Sequence, residues 1–569
     1  MCFLTLPARG WTETALKVSV EGVEGKLYDN IMVRLRINIY SKSSVFNDAE
    51  IGRLHRQAPA DIESALAPFG YYAPSVKSSL VQNESGWQAT YMVQTGSPVT
   101  VSKITVVVTG AGKELPELST PQDQVALRLG EPLRHALYED GKRALIRRAR
   151  ALGFLDAYYS THEIRIHRDK KSAEIELILE TGSRYIFGKT SSDQELITRE
   201  LLMRFLSYQD GDYFTTRKLF DTQRDLYRTD YFSSVIVDGD TANPDGTAIP
   251  VKIALEPLEH YNFYGVGVGY ASDIGAYATL EWRNPLFNKK GHRVSSSFLV
   301  GERETHCVLN YRIPVADPRF NTFGLSGLWN RESWEDTVSN ALSAGMSYEY
   351  LTPRRRLGIS IEALDEDYRV GDTKGESKLL IPSLQGSMAI ADDVVNTKNG
   401  VRVTAVISGA QEGILSDTTY LKLRGDGRVV LSPFPNWRLL GHGSAGVILV
   451  DSIDDLPPSL RFYAGGNKSV RGYRYKSLGP VDSSGTVIGG TYLLSGSIEC
   501  ERRISELWRV SAFYDVGNAM DDPNIDLAHG MGIGVGIELP FGKATLDFAY
   551  PLTVEGSSQY VFFSVGADL

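Results

Sequence analysis

The chain has 569 residues and a formal net charge of −9, with 60 Lys and Arg against 69 Asp and Glu. That length implies several domains, and the acidic balance excludes a general nucleic-acid binder. No run of 18 apolar residues occurs, so no transmembrane helix is expected, although barrel strands leave a much weaker trace. Tyrosines outnumber phenylalanines 29 to 21 and glycines number 54, which suits strands whose two faces meet different solvents. Cys2, Cys307 and Cys500 include no Cys-x-x-Cys pair, so neither a zinc site nor a redox dithiol is expected. Cys307 and Cys500 are either isolated strand residues or one disulfide. The opening Met-Cys-Phe-Leu-Thr-Leu-Pro is too short for a secretory leader, and residues 1–14 read as the remnant of one.

Residues 15–258 mix strands with helices. Leu16–Glu21 alternates as a strand, Gly25–Ile37 and Asp48–Phe69 carry apolar residues at helical spacing, and Gly70 suits a helix C-terminus, where positive φ is needed. Val76–Val81 and Trp87–Gln94 then alternate as a hairpin. The order β-α-α-β-β recurs. Val101–Thr109, the helix Arg134–Leu152 and the hairpin of Tyr158–Ile166 with Ala173–Glu180 form a second copy. Tyr185, the helices Asp193–Phe205 and Thr216–Tyr227, and the strands Tyr231–Val237 and Pro250–Leu255 form a third. Thr95-Gly96-Ser97 and Thr181-Gly182-Ser183 mark a period of roughly 85 residues, the sign of tandem modules. The modules are placed at 15–96, 97–182 and 183–258.

From Tyr261 onward the helical period gives way to sixteen alternating segments of roughly 10 residues, the number and length suited to a bilayer-spanning barrel. Closure pairs every backbone polar group without water. Ile533, Val535 and Ile537 share one face against Gly534, Gly536 and Glu538. Leu546, Phe548 and Tyr550 likewise oppose Thr545, Asp547 and Ala549, which is apolar-out and polar-or-glycine-in. The expected fold is thus three α+β modules followed by a 16-stranded antiparallel transmembrane β-barrel over 259–569.

One segment breaks the barrel rhythm. Residues 451–490 are rich in Gly, Pro, Ser and Asp, too long for an idle loop. They carry Val470-Arg471-Gly472-Tyr473 within a cation-rich run from Lys468 to Lys476. The parity of the two following strands turns Ser495, Ser497 and Glu499 inward, and with them Ser511, Phe513, Asp515 and Gly517. A loop folding into the barrel would bring Arg471 to Glu499 and Asp515, and a guanidinium fork matches carboxylates. The competing reading is a solvated surface loop above ordinary lumen acids.

Val470-Arg471-Gly472-Tyr473 resembles the loop signature of the Omp85 superfamily of outer-membrane proteins. Phe513-Tyr514-Asp515-Val516-Gly517 resembles its F-x-D-x-G strand, and Gly496-Ser497-Ile498-Glu499 its G-x-x-E strand. The three modules resemble POTRA domains, and their number, the phrase Leu456–Gly466 and the tail Phe562–Leu569 are similar to the TamA branch. The resemblance implies a bacterial outer-membrane location with periplasmic modules and Arg471, Gly472, Tyr473, Glu499, Phe513, Asp515 and Gly517 as the loop-pinning set. It implies no cofactor, metal or enzymatic activity. Unfolded outer-membrane proteins, including autotransporter types, would be the clients, and an inner-membrane-anchored TamB-type protein the partner. Gly265, Gly267 and Gly269 in the first strand, with Ser564 and Gly566 in the last, mark a weak lateral seam, although glycines also fit a crowded lumen. Rival expectations are a two-partner-type secretion pore, an outer-membrane enzyme and a passive porin. Gly188-Lys189-Thr190 lies off P-loop spacing, and Gly441-His442-Gly443-Ser444 reads as a strand start, so neither supports an enzyme.

Overall fold

The computed structural model describes residues 15–42, 47–84, 86–393, 396–539, 542–553 and 559–566. The proposed leader remnant 1–14, with Cys2, and the tail residues 567–569 lie outside the described residues. Two compact units emerge. The first holds residues up to Ser192 with Ser207–Asp221 and Val237–Ile253; the second holds Asp193–Leu206, Thr222–Ile236 and the chain from Ala254 onward.

The first module comprises β1 (Ala15–Glu21), α1 (Gly25–Arg34), α2 (Arg36–Tyr40), α3 (Asp48–Leu66), β2 (Ser75–Asn83) and β3 (Gly86–Gln94). Its sheet order is β1-β3-β2, with β1 parallel to β3. The single helix expected over Gly25–Ile37 is two, because Leu35 adopts an extended conformation between α1 and α2. Gly70 closes the helical run at φ +91°, where a Cβ would come within 2.8 Å of the Leu133 carbonyl oxygen. Ile31, Ile51, Ile62 and Tyr91 fill the core. His55 Nδ1 lies 3.0 Å from the Tyr91 hydroxyl, and burial pushes its pKa below the usual value. A depressed folded-state pKa means the unfolded chain binds more protons, so the contribution is whole above about pH 6.5 and lost as pH falls below it. Amide protection factors of this module, corrected for the intrinsic exchange rate at each pH, are expected to fall between pH 7.5 and pH 5.5, and His55→Gln is expected to flatten that dependence.

The second module runs through β4 (Thr100–Thr109), α4 (His135–Ala151), β5 (Tyr158–His167) and β6 (Ser172–Glu180), in the order β4-β6-β5. It departs from the expected β-α-α-β-β grammar. Short 3-10 turns at Gly110–Glu114, Pro116–Leu118 and Pro121–Gln124 stand where the first helix was expected, because Pro116 and Pro121 each remove a donor and fix φ. The third set is β7 (Ile186–Ser192), α5 (Arg199–Arg204), α6 (Thr216–Tyr227), β8 (Phe232–Gly239) and β9 (Ala248–Pro257), with sheet order β7-β9-β8. Here α5 is shorter than expected, since the Thr198 hydroxyl caps it and Gln194 folds back on the Ile197 amide. Gly188-Lys189-Thr190 sits inside β7.

The barrel is one sheet of sixteen antiparallel strands joined in chain order. They are β10 (Phe263–Ala271), β11 (Gly275–Asn284), β12 (Arg293–Gly301), β13 (Glu304–Pro314), β14 (Asn321–Trp334), β15 (Thr337–Leu351), β16 (Arg355–Val370), β17 (Thr373–Ala391), β18 (Gly400–Ala410), β19 (Tyr420–Leu431), β20 (Trp437–Val450), β21 (Tyr492–Arg503), β22 (Trp508–Met520), β23 (Ala528–Leu539), β24 (Gly542–Pro551) and β25 (Tyr560–Gly566). No described helix is long and apolar enough to cross a membrane, and the strands carry the apolar surface instead. Val266, Leu309, Ile359, Ile498, Ile533 and Phe548 all lie exposed on the outward parity, as a lipid-facing band requires.

Strand lengths of 7 to 19 residues are less even than expected. The longest, β17, pairs with β18 only over Ser383–Ala391 and continues with β16 to Thr373. This extension is stabilised by the long loop: Leu364, Leu379 and Ile381 share a buried cluster with Leu456, Phe462 and Ala464. Gly441–Ser444 lies within β20 rather than at its start, and Cys307 and Cys500 are free thiols on β13 and β21.

Candidate functional site

Even-numbered barrel strands leave the end at which β10 begins, so the 41-position connection between Val450 and Tyr492 starts at the opposite end. It folds inward. Bridges Phe462 to Gly490 and Ala464 to Leu478 make it a compact body, and Arg461 donates to the carbonyls of Leu456 and Ile488 at 2.9 Å. Lys476 reaches Glu332 on β14 at 2.8 Å and lies 3.7 Å over the Trp334 ring.

Arg471 is buried within this body, 7% exposed. Its Nε and Nη2 donate to the two oxygens of Asp515 at 2.8 and 3.0 Å, and its backbone N–H reaches the same carboxylate at 3.0 Å. Nη1 bridges Glu499 at 2.9 Å and Asp547 at 3.0 Å, while Nη2 also donates to Ser497 Oγ at 3.2 Å. The guanidinium lies 3.4 Å from the Phe513 ring centroid. Burial disfavours the charge, but the hydrogen bonds and charge of Asp515, then Glu499 and Asp547, outweigh it and raise the Arg471 pKa. The group is a permanent cation. One side chain therefore ties the loop to β21, β22 and β24.

The neighbours are shaped to admit it. Gly472 has φ +98° and a Cβ there would come within 3.0 Å of the Pro551 nitrogen. Tyr473 donates its hydroxyl to the His529 carbonyl at 3.1 Å and packs with Val470 and Ala528. Gly517 lies beneath Ser495, with room for no Cβ. On β23 the inward positions are Gly530, Gly532, Gly534 and Gly536. A Cβ would meet the Arg471 carbonyl oxygen at 2.0 Å from Gly530, the Phe513 ring at 2.4 Å from Gly532 and Asp547 Oδ1 at 2.3 Å from Gly534. This glycine row lets the loop lie against the wall and lets Asp547, two strands beyond Asp515, reach the same guanidinium.

The structure brings together Arg471, Gly472, Tyr473, Glu499, Phe513, Asp515 and Gly517. Sequence reasoning missed Asp547, Ser497 and Gly530 as members. The inward parity of Asp547 was legible; that a strand of glycines would remove the barrier between it and Arg471 was not drawn from it. A second ion network was also missed, toward the end where β10 begins. Glu501, 3% exposed, takes Arg438 Nε at 2.8 Å and contacts Lys543. Arg503 and Arg509 each reach Glu538 at 2.8 Å. The turn after β17 joins in, its Thr397 carbonyl accepting from Arg438 at 2.9 Å.

The proposed seam lies between β10 and β25, the two ends of the sheet order. At its upper end Ser272 Oγ donates to the Val561 carbonyl and accepts from the Phe563 N–H, each at 3.2 Å. Gly265, Gly267 and Gly269 occupy the inward positions of β10. Thr279 and Tyr277 cover the last two, whose Cβ positions lie 2.6 and 2.7 Å from those side chains. Ser564 shares a 2.6 Å hydrogen bond with Thr545, and Gly566 pairs with Lys543. These contacts tie β25 to β24.

The Omp85 superfamily domain matches residues 262–568, more than half of the chain, and the first POTRA domain of the TamA type matches residues 17–95. Over 430 residues the chain is 23% identical to the outer membrane protein assembly factor BamA of Nitratidesulfovibrio vulgaris, covering 70% of this chain and 53% of that protein. Over 236 residues it is 25% identical to a putative outer membrane protein assembly factor of Treponema pallidum, covering 39% of this chain and 26% of that one. The chain thus spans about half and a quarter of these relatives' lengths. The crystal structure of BamA from Haemophilus ducreyi lacking POTRA domains 1–3 superposes with a TM-score of 0.68 at 14% identity, over 82% of this chain and 99% of that one. It shares the fold of POTRA modules followed by a nearly closed 16-stranded barrel. This chain belongs to the Omp85 superfamily, with its barrel in the outer membrane and its POTRA-type modules in the periplasm.

Proposed function

We propose that the protein is an outer-membrane assembly and translocation factor that helps insert β-barrel and autotransporter-type proteins by opening the seam between β10 and β25. The observation that carries this reading is the seam. Among the described residues, every other pair of neighbouring strands is joined by a backbone ladder, whereas Ser272 supplies side-chain bonds across this junction. Parting it uncovers edge N–H and C=O groups, which template an incoming strand. The work is strand exchange and uses no cofactor or enzymatic step. The match of residues 17–95 to the TamA-type POTRA domain supports the TamA branch, and with it docking of a TamB-type partner through the periplasmic modules.

The test is a seam locked by oxidised Ser272→Cys and Phe563→Cys in proteoliposomes supplied with an unfolded barrel client. Client folding is expected to fall at least about tenfold on oxidation and to return on reduction. Full insertion by the locked protein would show that the seam does not part. Retained insertion with a client that has no barrel would favour the secretion-pore alternative.

A further inference from the structure

A cavity of about 520 Å³ opens within the second unit, among the periplasmic ends of β12 to β15, Phe205 and the stretch 224–231, a size typical of small-ligand sites. Its wall carries Arg228, Arg293 and Arg312 beside Phe205, Tyr231 and Phe320. Arg293 and Arg312 are directly opposed across β12 and β13. Like charges in that position destabilise a sheet, and here both lie on one face. The acids nearby are already engaged: Asp225 by Arg224 at 3.0 Å, Asp317 by Arg319 at 2.7 Å and Glu349 by Arg356 at 2.7 Å. Among the described residues, Arg228, Arg293 and Arg312 form no ion pair with a carboxylate. Arg293 lies 5.1 Å over the Tyr231 ring instead.

We propose that this cavity binds a carboxylate-bearing stretch of extended polypeptide, held by Arg228, Arg293 and Arg312 against the aromatic side chains. The parity of the strands favours a polypeptide over a lipid headgroup. Arg293 and Arg312 point opposite to Phe298 and Leu309, which are exposed on the lipid-facing side. A guanidinium fork binds a carboxylate bidentately, and the rings offer sequence-tolerant apolar contact to the flanking residues. In calling that stretch part of a client, the inference rests on the insertion reading; the binding itself does not.

The test uses the full chain in detergent micelles and a fluorescein-labelled octapeptide containing four Asp or Glu, read by anisotropy. The peptide is expected to bind, and its Asn and Gln isostere to bind at least about tenfold more weakly. R293Q/R312Q is expected to weaken the acidic peptide by a similar factor while leaving protease protection of the long loop unchanged. Should that double variant fold poorly, R228Q alone tests the same cavity. Equal binding of the isostere, or undiminished binding by the Arg variants, would overturn the proposal. So would displacement of the peptide by glycerophosphate or inorganic phosphate at equal concentration, which would mark a phosphate or headgroup site. A protein that binds the peptide yet inserts clients with its seam locked keeps this site and loses the seam mechanism; the converse loses the site alone.

Discussion

Arg471→Ala is expected to release the long loop from the lumen and to lower the thermal stability of the barrel more than any other single side-chain truncation in it. The substitution leaves Asp515, Glu499 and Asp547 facing one another, two of them 5% exposed or less at the side chain. Removing one partner of a buried ion cluster costs about 3–5 kcal/mol, and this one joins three strands. Arg471→Lys is expected to recover little, because an ammonium cannot fork onto Asp515, bridge Glu499 and Asp547, and stack on Phe513 together. Limited proteolysis across residues 451–491 and thermal unfolding in detergent provide the readout. A loop as protease-resistant as the parent's, in Arg471→Ala and Asp515→Asn alike, would mean that the guanidinium does not hold it.

Gly530→Ala is expected to produce the same release with every charged group intact. The new Cβ would stand 2.0 Å from the Arg471 carbonyl oxygen, and neither atom sits on a flexible side chain. Overpacking of this kind costs about 1–3 kcal/mol or more, and the loop is the part free to yield. Gly425→Ala on β19 is the control, since nothing lies within 4 Å of its Cβ position. Protease protection lost in the first and kept in the second separates crowding at the docking surface from a general loss of strand glycine. Equal behaviour of the two would remove the steric argument.

Much of this architecture was legible because its signals are periodic. Alternation along β22, β23 and β24 follows from the side-chain period of a strand, so the inward sets Phe513, Asp515 and Gly517, or Thr545, Asp547 and Ala549, could be read residue by residue. The loop contact was reached differently: parity turned Glu499 and Asp515 inward, but the insertion carries Arg461, Arg471 and Arg474, and it was the resemblance of Val470-Arg471-Gly472-Tyr473 to the Omp85 loop signature that singled out Arg471. What stayed hidden depends on strands that are not consecutive. Asp547 meets Arg471 only because β23 presents glycines between them. The missing first helix of the second module turned on Pro116 and Pro121 outweighing the repeat. Strand length was misjudged at β16 and β17 because their extension answers to Leu456 and Phe462, far away in the chain.

The two ion networks share the same wall. Arg471 fastens β21, β22 and β24 from within, and Glu501 with Glu538 fastens β20 through β24 nearer the periplasm. On the other flank β10 carries three inward glycines and no such fastening. Under the proposed opening, compliance would be lopsided: the wall from β20 to β24 is stiffened by buried charge, whereas β10 offers glycines on its inner face. That opening would then fall first on β10, the strand that follows directly from the periplasmic modules.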